Sequence, residues 1–347
     1  MVLMSPSNGT DKACKSVLLQ DVPEGYFPVN FYGFLISAMV LDFVTCPFNI
    51  LLNTLVIAAV KTKRRLQTHT NILLACLGFT DLMVGLVVQP LHIHVLVFQL
   101  QGKSYEDFCE LILAFIVALT VCCAASLYQL TIVSAERYLA IKHAFTHSVV
   151  VTKTRLLLFS ALAWIVAVLL ASFQERSPNF RPLIHAFPAA SILLIFWSQV
   201  VVYMEARRHE RNILSQQVSI EARRKFMKEK KALKLTTIIL VVLFLSFFPS
   251  LIVSKVVVRY FIEETSIADI ETLARSLVTL PVMFNSFLNP IIYTARKRQF
   301  RVAFVELVLR RSYQESKDFE KRVLRPSNKT TEGSRGGNAE RVTEHGV

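Results

Sequence analysis

No His-Glu-x-x-His pair, no Gly-x-Ser-x-Gly elbow and no phosphate-cradling glycine loop occurs in this chain, so the common hydrolytic and nucleotide-driven chemistries find no motif here. His92 and His94 stand two apart, point to different faces of a helix and make a poor metal pair. The chain reads as a non-enzyme. Charge is the second scarcity: 18% of the 347 residues are charged against 53% hydrophobic, and the mean hydropathy is +0.46. A soluble chain of this length would carry far more charge, and the apolar surplus is gathered in runs, so a bilayer accounts for it best. Met1 to Glu24 is polar and lacks a basic start followed by an apolar core, so no signal peptide is expected and the first run should direct its own insertion. No internal repeat is visible and the intramembrane acids Asp42 and Asp81 are scattered, which weighs against the alternative of a secondary transporter or channel.

What is present is a series of seven apolar runs, an all-α membrane protein. The third, about 25 uncharged residues between Glu110 and Glu136, covers a ~30 Å hydrocarbon core at ~1.5 Å per residue. Ser126, Tyr128, Gln129 and Thr131 inside it have no use against lipid alone, which places this helix at the centre of a bundle. The other spans are expected at about 31–60, 70–97, 156–173, 186–205, 235–258 and 273–295. The net charge of +14 is laid into alternate connections, among them Lys61 to Arg65, Lys142 to Arg155 and Arg207 to Arg211. That is a topology signal and no nucleic-acid patch; it puts the amino terminus outside and the carboxyl terminus inside. The organisation expected is a leader over 1–30, a bundle over 31–295, a basic amphipathic helix on the inner leaflet over 296–311 and a disordered tail over 312–347. Brief polar connections are expected at 173–188 and around Glu263, Glu264 and Asp269. Asn8-Gly9-Thr10 is an N-glycosylation acceptor if the leader faces the lumen.

The chain from about Asn53 to Phe300 resembles the rhodopsin-like (class A) G-protein-coupled receptors. The carriers are Asn53, Leu77 and Asp81, Ser126 with Glu136-Arg137-Tyr138, Trp164, Pro249, and Asn289-Pro290-Ile291-Ile292-Tyr293 followed by Phe300, one or two per span and in order. The resemblance implies a seven-transmembrane bundle with a short amphipathic eighth helix, in the plasma membrane. It also implies a heterotrimeric G protein as partner, with arrestin and a receptor kinase acting at the tail. Asp81, Ser126, Asn285 and Asn289 match the family's sodium pocket, so a sodium ion is the one modulator implied and no other cofactor is. Arg137 matches the switch arginine, paired at rest with Glu136 and with Glu229 at the inner end of the sixth span; Tyr138, Asn289, Pro290 and Tyr293 belong to the same coupling machinery. Pro249 would let the sixth helix swing outward.

Several positions depart from the pattern. Phe247 replaces the usual tryptophan before Pro249, the fifth span lacks its proline, and Gln199 occupies the place expected for the tyrosine switch. Leu119 stands where amine receptors carry Asp, and Met283 where opsins carry the retinal lysine, which argues against a monoamine receptor or photopigment. The missing proline and the short cysteine-free second outer connection resemble the melanocortin, adenosine and lipid branch. The expected ligand is a small neutral or amphiphilic molecule lying against Leu119, Thr120, Phe247, Phe248, Leu251 and Met283, with Asp42, His92 and Arg275 as polar anchors. Of six cysteines only Cys14 and Cys109 face outward, and the family's usual bridge cannot form. Cys14 can reach Cys109 at up to ~3.3 Å per residue; two free thiols, or one linked to a partner, are the alternatives.

Overall fold

The computed structural model describes residues 29–103, 105–143, 147, 149–176, 181–215, 237, 238, 241 and 267–324; side chains of 29–31, 105–106, 173–189, 206, 209–215 and 267–278 are outside that description. Every regular element among the described residues is helical. The first-span helix is Val29–Thr62, with Pro47 inside it. After a short 3-10 turn at Arg64–Leu66, the second-span helix runs over His69–Leu100 and is interrupted by a π-helical turn at Val84–Val88. Thr68 caps its start by accepting from the Asn71 amide. The third-span helix is Cys109–Lys142, the fourth Lys153–Arg176, the fifth Arg181–Ser215 and the seventh Ile267–Arg296. Four of these helices are long and apolar enough to cross a membrane, and the fifth contributes the shorter apolar stretch Ala190–Glu205.

Helix takes in part of two stretches expected as connections. Helix continues through Arg176 and resumes at Arg181, and Asp269 lies within the seventh-span helix. Polarity at a helix end does not stop a helix, because backbone groups there can be satisfied within the chain or by water.

The third-span helix packs against the second, fourth and fifth, and so occupies the middle, while the first packs against the second and seventh. Its polar residues explain part of that placement. Gln129 Nε2 donates to the Ser160 carbonyl at 3.2 Å and the Ser160 hydroxyl donates back to Gln129 Oε1 at 3.0 Å, tying the third helix to the fourth. Thr131 instead satisfies itself against the Leu127 carbonyl. With 34 residues at ~1.5 Å each, the third-span helix exceeds the ~30 Å hydrocarbon thickness, so it tilts or projects from the bilayer.

The basic segment after Tyr293 forms the helix Arg298–Val308. Phe300 is fully buried against Tyr293, Phe304 and Leu307 are partly buried, and Val308, expected on the same face, is exposed. Glu306 is buried, and receives Lys63 at 2.6 Å and the Arg65 guanidinium. Burial alone would raise its carboxyl, but those hydrogen bonds and charges hold it below the ordinary carboxylate value.

The tail departs from expectation: Tyr313–Leu324 is a helix. Ser312 and Glu315 form a reciprocal cap, the Ser312 amide donating to Glu315 Oε2 at 3.0 Å and the Glu315 amide to Ser312 Oγ at 3.4 Å. Glu320 then holds this helix to the preceding one through Arg298 at 2.8 Å and Arg301 at 2.8 and 3.0 Å, while Arg65 lies over the Tyr313 ring at 4.3 Å. These local devices give order to a stretch whose composition alone reads as disordered. Residues 325–347 lie outside the described residues.

Candidate functional site

Among the described residues, one group of buried polar side chains lies at the basic end and another in the interior. At the basic end the third-span helix brings Glu136 and Arg137 together, both buried. Arg137 Nε donates to Glu136 Oε2 and Arg137 Nη2 to Glu136 Oε1, each at 2.5 Å, a two-toothed grip that suits the planar fork. Nη2 also donates to Thr70 Oγ1 at 2.5 Å, and His147 Nε2 lies 3.2 Å from Glu136 Oε1. The side chains are 4% and 1% exposed, so removing one partner leaves the other a buried charge without the counter-charge of this pair. Thr70 and His147 had no signal in the sequence, because a helix pattern does not say which turn of one helix faces which turn of another. Glu229, expected on the other side of Arg137, lies outside the described residues.

Around this grip the same end is tied across helices. Lys297 Nζ donates to Asn71 Oδ1 at 2.7 Å, joining the seventh-span helix to the start of the second. Tyr138 turns the other way, with its ring 5.3 Å from Trp197 and 5.8 Å from His143. Gln199 Nε2 donates to Ser134 Oγ, and Thr237 Oγ1 donates to Gln199 Oε1, both at 3.4 Å. The residue standing at the tyrosine position is therefore a long-bonded link between the third, fifth and sixth spans.

The interior cluster is a polar column between the first, second and seventh spans. Asn289 Nδ2 donates to Asp81 Oδ2 at 2.9 Å. Asn53 Nδ2 donates to Asn49 Oδ1 at 2.7 Å, and Asn49 Nδ2 to Gln89 Oε1 at 3.1 Å and to the Asp81 carbonyl at 3.2 Å. Asp81 Oδ1, Asn53 Oδ1, Asn285 Oδ1, Asn289 Oδ1 and the Tyr293 hydroxyl are buried with no hydrogen-bond partner among the described residues. Four of those five are acceptor-only oxygens, the donor set that a hard cation requires and that hydrocarbon would penalise. A sodium ion fits these residues. Ser126 is half-buried on the adjacent third-span helix, and Pro290 is buried beside Asn289.

The π turn lets the second helix approach the first. A Cβ built on Gly85 would meet Ile50 Cγ1 at 2.9 Å and Asn49 Nδ2 at 3.1 Å, whereas one on Gly78 would lie 3.4 Å from Asn53 Oδ1. Gly85→Ala is expected to lower stability by about 1–3 kcal/mol through overpacking, and Gly78→Ala to be close to neutral. Melting of the two purified variants against wild type checks this; a Gly85→Ala melt equal to wild type would contradict the close approach.

Nearer the outer end, the two expected polar anchors engage each other. His92 Nδ1 is 2.6 Å from Asp42 Oδ2, both are buried, and the His92 ring stacks on Phe115 at 4.9 Å. As polar anchors for a ligand, Asp42 and His92 would present themselves as a pair in contact. His94 points away, is exposed, and donates from Nδ1 to the Pro90 carbonyl at 2.7 Å. Met283 is buried in an apolar cluster with Val84, Val88, Ile112, Phe115 and Cys122, and Leu119 packs against it. Thr120 is half-buried and the backbone of Arg275 lies in the seventh-span helix; Phe247, Phe248 and Leu251 lie outside the described residues. Cys46, Cys76, Cys122 and Cys123 are free thiols and Cys109 is disulfide-bonded. Cys14 and Asn8 lie outside the described residues.

The chain matches the family described as 7 transmembrane receptor (rhodopsin family) over residues 52–177 and 182–293, and it belongs to that family, whose members are receptors and not enzymes. It is similar to the human alpha-1D adrenergic receptor, 25% identical over 315 residues that make up 74% of this chain and 53% of that receptor. The Oryzias latipes alpha-1A adrenergic receptor is 25% identical over 317 residues, 75% of this chain and 64% of that one. The Dichotomyctere fluviatilis 5-hydroxytryptamine receptor 2B is 33% identical over 119 residues, 34% of this chain and 25% of that one. The chain thus spans about half the length of the adrenergic receptors it matches. None of these three carries a melanocortin, adenosine or lipid name.

Proposed function

We propose that this chain binds an extracellular small molecule and activates a heterotrimeric G protein from the plasma membrane, with its basic end in the cytoplasm. The observation that carries the proposal is the buried grip of Arg137 on Glu136 and Thr70, a contact between the third and second helices that an outward swing of the sixth span would be coupled to breaking. Basic connections beside the grip support the orientation. Arrestin and a receptor kinase would act at the carboxyl-terminal tail. A sodium ion on Asp81 and its neighbouring oxygens would stabilise the resting bundle.

The ligand is proposed to be neutral or amphiphilic. Supporting this, Leu119 and Met283 share an apolar cluster, and the Asp42 carboxylate is already engaged by His92. An amine held by a salt bridge has no carboxylate at Leu119 to meet. The adrenergic and serotonin names of the relatives favour a second reading, a monoamine ligand. A cell-based G-protein assay run against monoamines and against neutral and amphiphilic compounds tests the two. A potent monoamine response that is lost in Asp42→Asn and kept in Leu119→Ala would overturn the first.

We further infer that Cys14 pairs with Cys109 and holds the leader over the outer end of the bundle, a closure worth about 2–4 kcal/mol. Non-reducing peptide mapping of receptor from the cell surface is expected to return a Cys14–Cys109 linked pair; alkylatable Cys14 in folded receptor would contradict it. Mapping on the same sample is expected to find glycan on Asn8.

A further inference from the structure

We propose that His69, Glu136 and His147 form a binding site for a divalent transition-metal ion, Zn²⁺ by its chemistry, which competes with Arg137 for Glu136. The three residues come from the first turn of the second helix, the inner end of the third and the connection beyond it, and one ligand atom of each lies within 4.8 Å of the others. His147 Nε2 and Glu136 Oε1 are 3.2 Å apart, close to the ~3.3 Å edge of a tetrahedron with ~2.0–2.1 Å bonds. His69 sits edge-on to His147 with ring centroids 5.7 Å apart, and among the described residues its ring nitrogens make no hydrogen bond. A small rotation of that ring would bring a nitrogen onto the same ion.

The donor set selects the ion. Two imidazoles and one carboxylate oxygen, with a fourth position left to water, suit zinc and its borderline neighbours. Magnesium and calcium, which prefer six or more oxygens, are poorly served. Glu136 is nearly fully buried, while His69 and His147 are half-buried, so an ion has a path from the aqueous side.

The consequence for signalling rests on the switch reading proposed above. Glu136 Oε1 already accepts from Arg137 Nη2, and Oε2 from Arg137 Nε. An ion on Oε1 displaces the Nη2 bond and places a positive charge beside the guanidinium, so it weakens the grip and favours the released arrangement. Zinc is then an intracellular sensitiser of the receptor.

The full chain, without a polyhistidine tag, is reconstituted in lipid nanodiscs and titrated with Zn²⁺ by calorimetry and with Co²⁺ by visible absorption. One ion per receptor is expected, with the absorption of four-coordinate cobalt. His69→Ala and His147→Ala should each weaken binding by at least about tenfold, and His94→Ala, which is remote, should leave it unchanged. Melting curves confirm that each variant is folded. Absence of stoichiometric binding, or affinity unchanged in both folded variants, overturns the site. In parallel, Zn²⁺ should raise ligand-independent nucleotide exchange in wild type and not in His69→Ala. Stoichiometric binding with no change in exchange overturns the link to the switch and leaves the metal site standing.

Discussion

Replacing Arg137 by Ala is expected to abolish G-protein activation, while Glu136→Gln raises ligand-independent activity, both with receptor retained at the cell surface. An exposed ion pair of this kind would contribute only ~0–1 kcal/mol. Here both partners are buried, the guanidinium makes two bonds at 2.5 Å to the carboxylate, and Thr70 takes a third. A coupling of about 1–3 kcal/mol between this contact and the helix arrangement corresponds to a roughly 5- to 150-fold shift in the resting equilibrium. Glu136→Gln removes the charge and keeps the shape, so its effect reports the grip. Thr70→Val should act in the same direction and more weakly, since it removes one neutral acceptor. Second-messenger accumulation normalised to surface receptor measures all three.

The second large effect is expected at Asp81. A carboxylate this deep costs roughly 2.5–3.5 kcal/mol on insertion scales unless partners inside the bundle meet it. Asn289 supplies one hydrogen bond, and the remaining oxygen is buried without a hydrogen-bond partner among the described residues. Wild-type receptor should therefore melt several degrees higher in sodium chloride than in choline chloride at equal ionic strength, and Asp81→Asn should erase that difference. Asn289→Ala should lower the melt in both salts, because it takes from the Asp81 carboxylate the side-chain amide that donates to Oδ2 at 2.9 Å. A sodium effect that survives Asp81→Asn would exclude this cluster as the site.

The spans were legible because a bilayer demands length and apolarity, and both are visible in a linear chain. The central run between Glu110 and Glu136 falls within the helix Cys109–Lys142, and the polar residue Gln129 indeed meets a neighbouring helix. What was not legible is rotation. A membrane helix is apolar on nearly every face, so its sequence does not say which face meets which partner. Hence the contact between Asp42 and His92 was not visible in the sequence, and Thr70 and His147 gave no hint of their place beside Glu136. The π turn at Val84–Val88 was likewise invisible, although Gly85 marks where the close approach occurs. The tail helix has a local signature in a polar stretch: Ser312 and Glu315 stand at capping-box spacing and make the reciprocal bonds.

The most direct test of the central claim is nucleotide exchange on purified G proteins by receptor reconstituted in nanodiscs, with no ligand present. Wild type should exchange slowly, Glu136→Gln several-fold faster with at least one G protein, and Arg137→Ala no faster than empty nanodiscs. Equal rates for wild type and Glu136→Gln at matched folded receptor, or undiminished exchange by Arg137→Ala, would contradict the account.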